Sequence, residues 1–192
     1  MSDLTVRRRR ADAERSVAAI LDAAAKLLSE RPHASMEEVA RAAGLTRQTV
    51  YAHFPSRDAL IGALTDRATD RVAAALEGAD LDTGPAGEAL LRLVQLSWDT
   101  FDAEPFLLAT PGPHTDPETD RRRHRTVFDV LGEVVERGQR TGEFDPELPP
   151  GWIVAATAAL GHAAGDDVRA GRLTSAQAGT YLQATLRRLF TR

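Results

Sequence analysis

Three consecutive side chains, Arg47-Gln48-Thr49, form the pattern in this chain best suited to reading a chemical surface. Arginine can form a bidentate pair with guanine and glutamine with adenine, while threonine offers a hydroxyl or a methyl to a base edge. Each good contact discriminates by roughly 1–3 kcal/mol. Thr46, just before them, has the side chain of a helix N-cap. Tyr51 and His53 carry polar tips suited to phosphate contact. After Phe54-Pro55, Ser56 caps another helix, so Arg57 stands beside a helix N-terminus within reach of a nucleic-acid backbone. The chemistry these residue types suit is noncovalent recognition of DNA, with Arg47, Gln48 and Thr49 all fit for base edges. A short amphipathic helix is also ordinary core material, and core packing accounts for Leu45, Val50 and Phe54. It gives no reason for Arg47, Gln48, Thr49 and His53 to cluster on the opposite side.

Other constellations point to no second chemistry. His114, Asp116, Glu118 and His124 have metal-ligand side chains, but their spacing converges on no helical face. His162 and Asp166 lie one turn apart, a spacing that a helix ion pair or an interface contact explains as well as a metal does. The basic run Arg121-Arg122-Arg123-His124-Arg125 is interleaved with Asp116, Glu118, Asp120 and Asp129, the pattern of a solvated helix face. The glycines follow no nucleotide-binding pattern, and no Ser/His/Asp arrangement or paired carboxylates argue for catalysis. The chain has no cysteine, which excludes disulfides and thiolate chemistry and fits a reducing compartment. No enzymatic activity, metal or cofactor is expected.

The elements that must position Arg47 and Gln48 follow from periodicity. Helical spacing runs almost throughout, with no alternating strand pattern and no internal repeat, so the fold is expected to be all-α. From Ala13 to Glu30, Val17, Ile20, Leu21, Ala24, Leu27 and Leu28 recur at helical spacing, and Arg31-Pro32-His33 ends the segment. Ser35-Met36-Glu37-Glu38 reads as a capping box that starts the next helix. That helix runs through Val39 and Ala43 to Gly44, a residue free to take a left-handed exit. The turn Gly44-Leu45-Thr46 and the short helix from Arg47 to His53 complete a helix-turn-helix, whose second helix enters the major groove by its N-terminal end.

The segments Ile20-Leu-Asp-Ala-Ala, Val39-Ala-Arg-Ala-Ala-Gly-Leu-Thr and Thr49-Val-Tyr-Ala-His-Phe-Pro-Ser-Arg-Asp-Ala-Leu resemble the signature of the tetracycline-repressor (TetR) family, over residues 13 to 64. The resemblance implies a three-helix DNA-binding head, a long connecting helix, and a helical body that dimerises and encloses an effector pocket. It carries the family's DNA contacts to Thr46, Arg47, Gln48, Thr49, Tyr51, His53 and Arg57, with Arg47 and Gln48 as base readers. It implies double-stranded DNA with a palindromic operator, an unknown small-molecule effector and a second copy of the chain as partners.

Charge is divided in a way that suits this reading. The net charge is −4, yet residues 1 to 60 hold 10 Lys+Arg against 8 Asp+Glu, and residues 61 to 192 hold 14 against 20. Arg7-Arg8-Arg9-Arg10 forms a basic run that can neutralise phosphates, or can be a solvated, disordered tail. We expect a head at 1–56 and a connecting helix plus effector-binding and dimerisation body at 57–192, about nine helices in all. In the body, Gly87 to Phe101 is amphipathic, Pro105 to Ala109 is short and apolar, and Pro111 to Pro117 is a loop. A long helix is expected at about Glu118 to Gln139, another from Pro149-Pro150 through Ala164, and a last one from Ser175 to Phe190. The last two are rich in Ala and Gly, which permits close packing; the resemblance assigns them the dimer interface. Trp98, Phe101, Phe106, Leu107, Phe128 and Leu131 are nominated as pocket lining, because small-molecule sites are mostly apolar. No run approaches the roughly 20 apolar residues of a membrane span and no signal-peptide core follows the N-terminal arginines, so a cytoplasmic location is expected. Two other classes stay open on the residues alone: an all-α enzyme or small-molecule carrier, and an architectural DNA protein without an effector.

Overall fold

The computed structural model describes residues 2–109 and 117–190. It is helical: α1 (Ser2–Glu30), α2 (Met36–Ala42), α3 (Arg47–His53), α4 (Arg57–Glu77), α5 (Ala86–Ala103), α6 (Phe106–Ala109), α7 (Pro117–Arg123), α8 (Arg125–Thr141), α9 (Pro150–Arg169) and α10 (Ser175–Phe190). No strand occurs among the described residues. These are ten helices where about nine are expected, because the segment expected as one helix from Glu118 divides at His124, whose backbone (φ −93°, ψ 10°) leaves helical geometry. His114, Asp116 and the loop from Pro111 lie outside the described residues.

The chain forms two compact units. The first runs to Asp66 and takes in the stretch from Glu104, and the second contains the remaining described residues. The division therefore falls inside α4 rather than at the expected 56/57 boundary. The connecting helix itself belongs to both units, because Leu60, Ile61 and Leu64 join the head core whereas Val72 and Leu76 join the body core.

In the first unit, α1 buries Ile20, Ala24, Leu27 and Leu28 at the spacing that puts them on one face. They pack with Val39 and Ala40 of α2, Val50 of α3 and the first turns of α4. Phe106 and Leu107 belong to this same cluster, with Phe106 wholly buried. α1 begins eleven residues before the expected Ala13. The arginine run is thus helical and not a disordered tail: arginine and alanine are good helix formers, Arg10 pairs with Glu14 at 3.5 Å, and Arg15 pairs with Asp12.

In the second unit, α5, α8, α9 and α10 pack around Leu90, Leu93, Val94, Trp98, Leu131, Val135, Phe144, Ile153 and Leu186. Small residues let elements approach closely. Gly179 of α10 lies against the Trp98 indole, where a Cβ would come to 3.0 Å from the ring. The Trp98 N–H donates to the Ser175 carbonyl at 3.2 Å and its hydroxyl at 3.1 Å, and that hydroxyl donates to Asp102 Oδ1 at 2.6 Å. Glu143, in the loop before α9, accepts the Gly87 N–H at 3.0 Å and so caps the start of α5. Among the described residues, no helix is long and apolar enough to cross a membrane.

Candidate nucleic-acid interface

Two capping arrangements, both local in sequence, set the position of α3. At the end of α2, Gly44 takes φ 68°, Leu45 N–H donates to Ala40 O at 2.9 Å, and Gly44 N–H donates to Arg41 O at 3.2 Å. This paired hydrogen bonding closes a helix on a left-handed residue and redirects the chain within one step. Thr46 follows in extended conformation, and its hydroxyl accepts the Thr49 N–H at 3.1 Å, satisfying one of the orphan donors of the new helix. The two threonine hydroxyls also meet at 2.8 Å. At the far end Phe54 is buried and the Ser56 hydroxyl accepts the Ala59 N–H at 3.1 Å, opening α4.

Within this frame α3 has an inner and an outer side. Val50 is wholly buried, and Tyr51 packs partly against the head core. Thr46, Arg47 and Gln48 are exposed, while Thr49, Tyr51, His53 and Arg57 are half-buried. The residues nominated as base readers therefore stand at the exposed N-terminal end of the helix, the geometry that a groove-reading helix needs.

Two of the cations already have partners. Arg47 Nη1 lies 2.8 Å from Glu37 Oε1 on α2, and its guanidinium carbon stands 5.1 Å from the Tyr51 ring centroid, within the range of a cation–π contact. Glu37 was not among the residues singled out from sequence, since the pairing spans two helices. Arg57 donates to the Pro32 carbonyl, tying α4 to the turn between α1 and α2. That contact is structural. Behind α2 the expected capping box is formed: Ser35 Oγ accepts from Glu38 N–H at 3.3 Å, and Glu38 Oε2 accepts from Ser35 N–H at 2.8 Å. The Ser35 backbone N–H first, then its hydroxyl, with Arg31 adding its charge, hold the Glu38 carboxyl below the usual glutamate range.

The six residues nominated for a pocket do not form one wall. Phe106 and Leu107 belong to the head core, because the stretch from Glu104 folds with the first unit. Trp98 and Leu131 are buried in the body core, and Phe101 packs edge-on to Trp98 at 5.2 Å. Phe128 is half-buried and stacks with His124 at 5.8 Å. One body cleft of about 630 Å³ runs between α5 and α10, with Trp98, Gln95, Gln183 and Arg187 on its sides. A second, of about 680 Å³, is lined by Leu81, Val130, Arg137 and neighbours. Among the described residues no group of three or more His, Asp and Glu side chains is placed to hold a metal. Asp166 pairs with Arg169 on its own helix.

The family model described as "Bacterial regulatory proteins, tetR family" matches residues 20–64. The chain is 38% identical over 140 residues to the HTH-type transcriptional repressor LfrR of Mycolicibacterium smegmatis, covering 72% of this chain and 71% of that protein. It is 26% identical over 165 residues to the HTH-type transcriptional regulator NfxB of Pseudomonas aeruginosa, covering 85% and 88%. Its fold is similar to the crystal structure of the TetR-like transcriptional regulator LfrR from Mycobacterium smegmatis in complex with proflavine, with a TM-score of 0.62 and 30% identity over 91% of this chain and 96% of that one.

Proposed function

The chain belongs to the TetR family of bacterial transcriptional regulators, and from that premise we propose that it is a homodimeric repressor, released from a palindromic operator by a small-molecule effector. The family is one of regulators and not of enzymes, which sets aside the enzyme and carrier readings. The observation that carries the proposal is the exposed N-terminal end of α3, where Thr46, Arg47 and Gln48 stand clear of a fully packed Val50. Arg47 and Gln48 read bases, Thr49 supplements them, and Tyr51, His53 and Arg57 fix the register on phosphate.

Dimerisation uses α9 and α10. Trp152 is 61% exposed, Tyr181 55% and Leu189 54%, all on these two helices. Large apolar side chains grouped at a surface mark an interface. The exposed positions of α9 beyond Trp152 include Ala155, Ala159 and Ala163, small enough for a second helix pair to approach closely. A two-fold dimer presents two copies of α3 to half-sites separated by about 10 bp or somewhat more.

The effector binds in the body, with Trp98, Phe101, Phe128 and Leu131 as the nominated lining. Proflavine, bound in the LfrR structure, is the first compound to try. Ligand binding biases the tilt of α4, which belongs to both units, and so changes the spacing of the two heads. The protein acts in the cytoplasm.

The test is DNA selection with purified protein at near-physiological salt, comparing wild type with Arg47→Ala plus Gln48→Ala, followed by titration with proflavine. Enrichment of a palindrome by wild type, lost in the double variant and weakened by ligand, is the expected result. No enriched sequence refutes the specific-regulator reading, and affinity unchanged by proflavine refutes that compound as effector.

A further inference from the structure

Resting on the assignment of α3 as the groove-reading helix, we infer that Glu37 is a specificity-determining residue that restrains Arg47 and so suppresses binding to non-operator DNA. Arg47 is the first residue of α3 and the nominated reader of guanine. Its guanidinium is bracketed on two sides, by the Glu37 carboxylate at 2.8 Å and by the Tyr51 ring at 5.1 Å. Both brackets are anchored. Tyr51 packs against the head core, and Glu37 stands in the first turn of α2, where the helix dipole favours a carboxylate. The neighbouring Glu38 is engaged by Ser35 and Arg31, so the two acids of this turn have separate tasks.

An unrestrained arginine at this position attracts any phosphate from many side-chain orientations, and that attraction carries no sequence information. Pairing with Glu37 cancels the charge that phosphate would use and leaves a carboxylate near the backbone wherever the pair is broken. A guanidinium has five donors, and contact with one carboxylate oxygen leaves others for the two acceptors on the guanine edge. Restraint therefore penalises phosphate contact while placing the side chain in advance for a base contact. The pair is exposed, 65% on Arg47 and 43% on Glu37, which corresponds to an effect of up to about fivefold on affinity.

The test measures the ratio of operator to non-operator affinity for wild type, Glu37→Gln, Arg47→Ala and the double variant, using the operator selected by wild type and a scrambled duplex at several salt concentrations. We expect Glu37→Gln to tighten non-operator binding about threefold or more, to steepen its salt slope by about one phosphate contact, and to lower the ratio at least threefold. Without Arg47 the same substitution is expected to leave the ratio unchanged. A threefold fall that disappears in the Arg47→Ala background supports the inference. A smaller fall, a rise, or an equal fall without Arg47 overturns it and leaves Glu37 as ordinary surface charge. The Ser35–Glu38 capping box is untouched by the substitution. Should Glu37→Gln fail to fold, Glu37→Asp, which keeps the charge and shortens the reach, is read by the same threshold. A wild type that selects no sequence refutes the regulator assignment itself, an outcome seen without any variant.

Discussion

Replacing Gly138 by alanine puts a methyl group where the body has no room for it. Gly138 lies in the last turns of α8, which closes on Gly142 at φ 78°. The chain reverses there through Glu143 N–H to Gly138 O at 2.8 Å and Phe144 N–H to the same carbonyl at 3.0 Å. The reversal lays the wholly buried Phe144 ring on Gly138, where an added Cβ would stand 2.2, 2.5 and 2.9 Å from three ring carbons. Overpacking of a tight core costs about 1–3 kcal/mol, and contacts this short belong in the upper part of that range. Alanine's better helix propensity returns up to about 1 kcal/mol, for a net loss of about 1–2 kcal/mol. At about 2–4 °C per kcal/mol for a chain of this size, the melting temperature falls by roughly 2–8 °C. Gly132 in the same helix supplies the control. A Cβ there meets nothing within 4 Å, so Gly132→Ala is expected to raise the melting temperature by a few degrees. The assay is thermal unfolding by circular dichroism at one fixed protein concentration, since assembly shifts the midpoint. A Gly138→Ala protein that melts at or above wild type refutes the packing argument.

Three further outcomes follow from the same structure. Glu38 and Glu143 both sit below the usual glutamate range, Glu143 through the Ala86 and Gly87 N–H groups first; with folded values depressed, their contribution is present above about pH 4.3 and is lost as pH falls through the folded value. Denaturant midpoints are expected to drop below that pH, and Glu143→Gln to flatten the drop; an unchanged acid limb counts against the α5 cap. Thr46→Ala removes the hydrogen bond to Thr49 N–H, costing about 1 kcal/mol, and is expected to weaken operator binding several-fold with the salt slope unchanged; full operator affinity in a titration would show that α3 needs no cap. Trp152→Glu combined with Tyr181→Arg is expected to yield monomers by sedimentation and to abolish palindrome binding, and a stable dimer of that variant would move the interface away from α9 and α10.

Signals that lie within a few residues of one another were legible in the sequence. Ser35 with Glu38, Gly44 with Leu45, and Thr46 with Thr49 each specify a hydrogen-bonded cap, and the cap partners are three or fewer residues apart or adjoin the turn. The start of α1 was not legible by apolar spacing, because arginines have no periodic apolar face, although their propensity favours helix. The aromatic concentration after residue 98 suggests a cavity wall, and Trp98 does flank the cleft between α5 and α10; what seats it there is its N–H on Ser175 and its ring on Gly179. Those partners are more than 70 residues away, beyond any local pattern. Phe106 and Leu107 belong instead to the head core, and nothing in their neighbourhood says that the chain returns to the head. The Glu37–Arg47 pair joins two helices across a turn, and sequence supplies its members without its geometry.

The helical state of the arginine run changes what it can contribute to binding. A disordered arm can follow a backbone and bring every charge to a phosphate, whereas a helix fixes side chains at 100° steps. Arg7 and Arg10 lie about 60° apart around the helix, whereas Arg8 points about 100° from Arg7 and about 160° from Arg10, and Arg10 is already paired with Glu14. Few of these cations can meet one DNA surface at once, so the arm supplies a smaller part of the salt dependence than its count of arginines suggests. Under the proposed function, affinity for the operator is then expected to rest more heavily on α3, and on whatever sets the pose of Arg47.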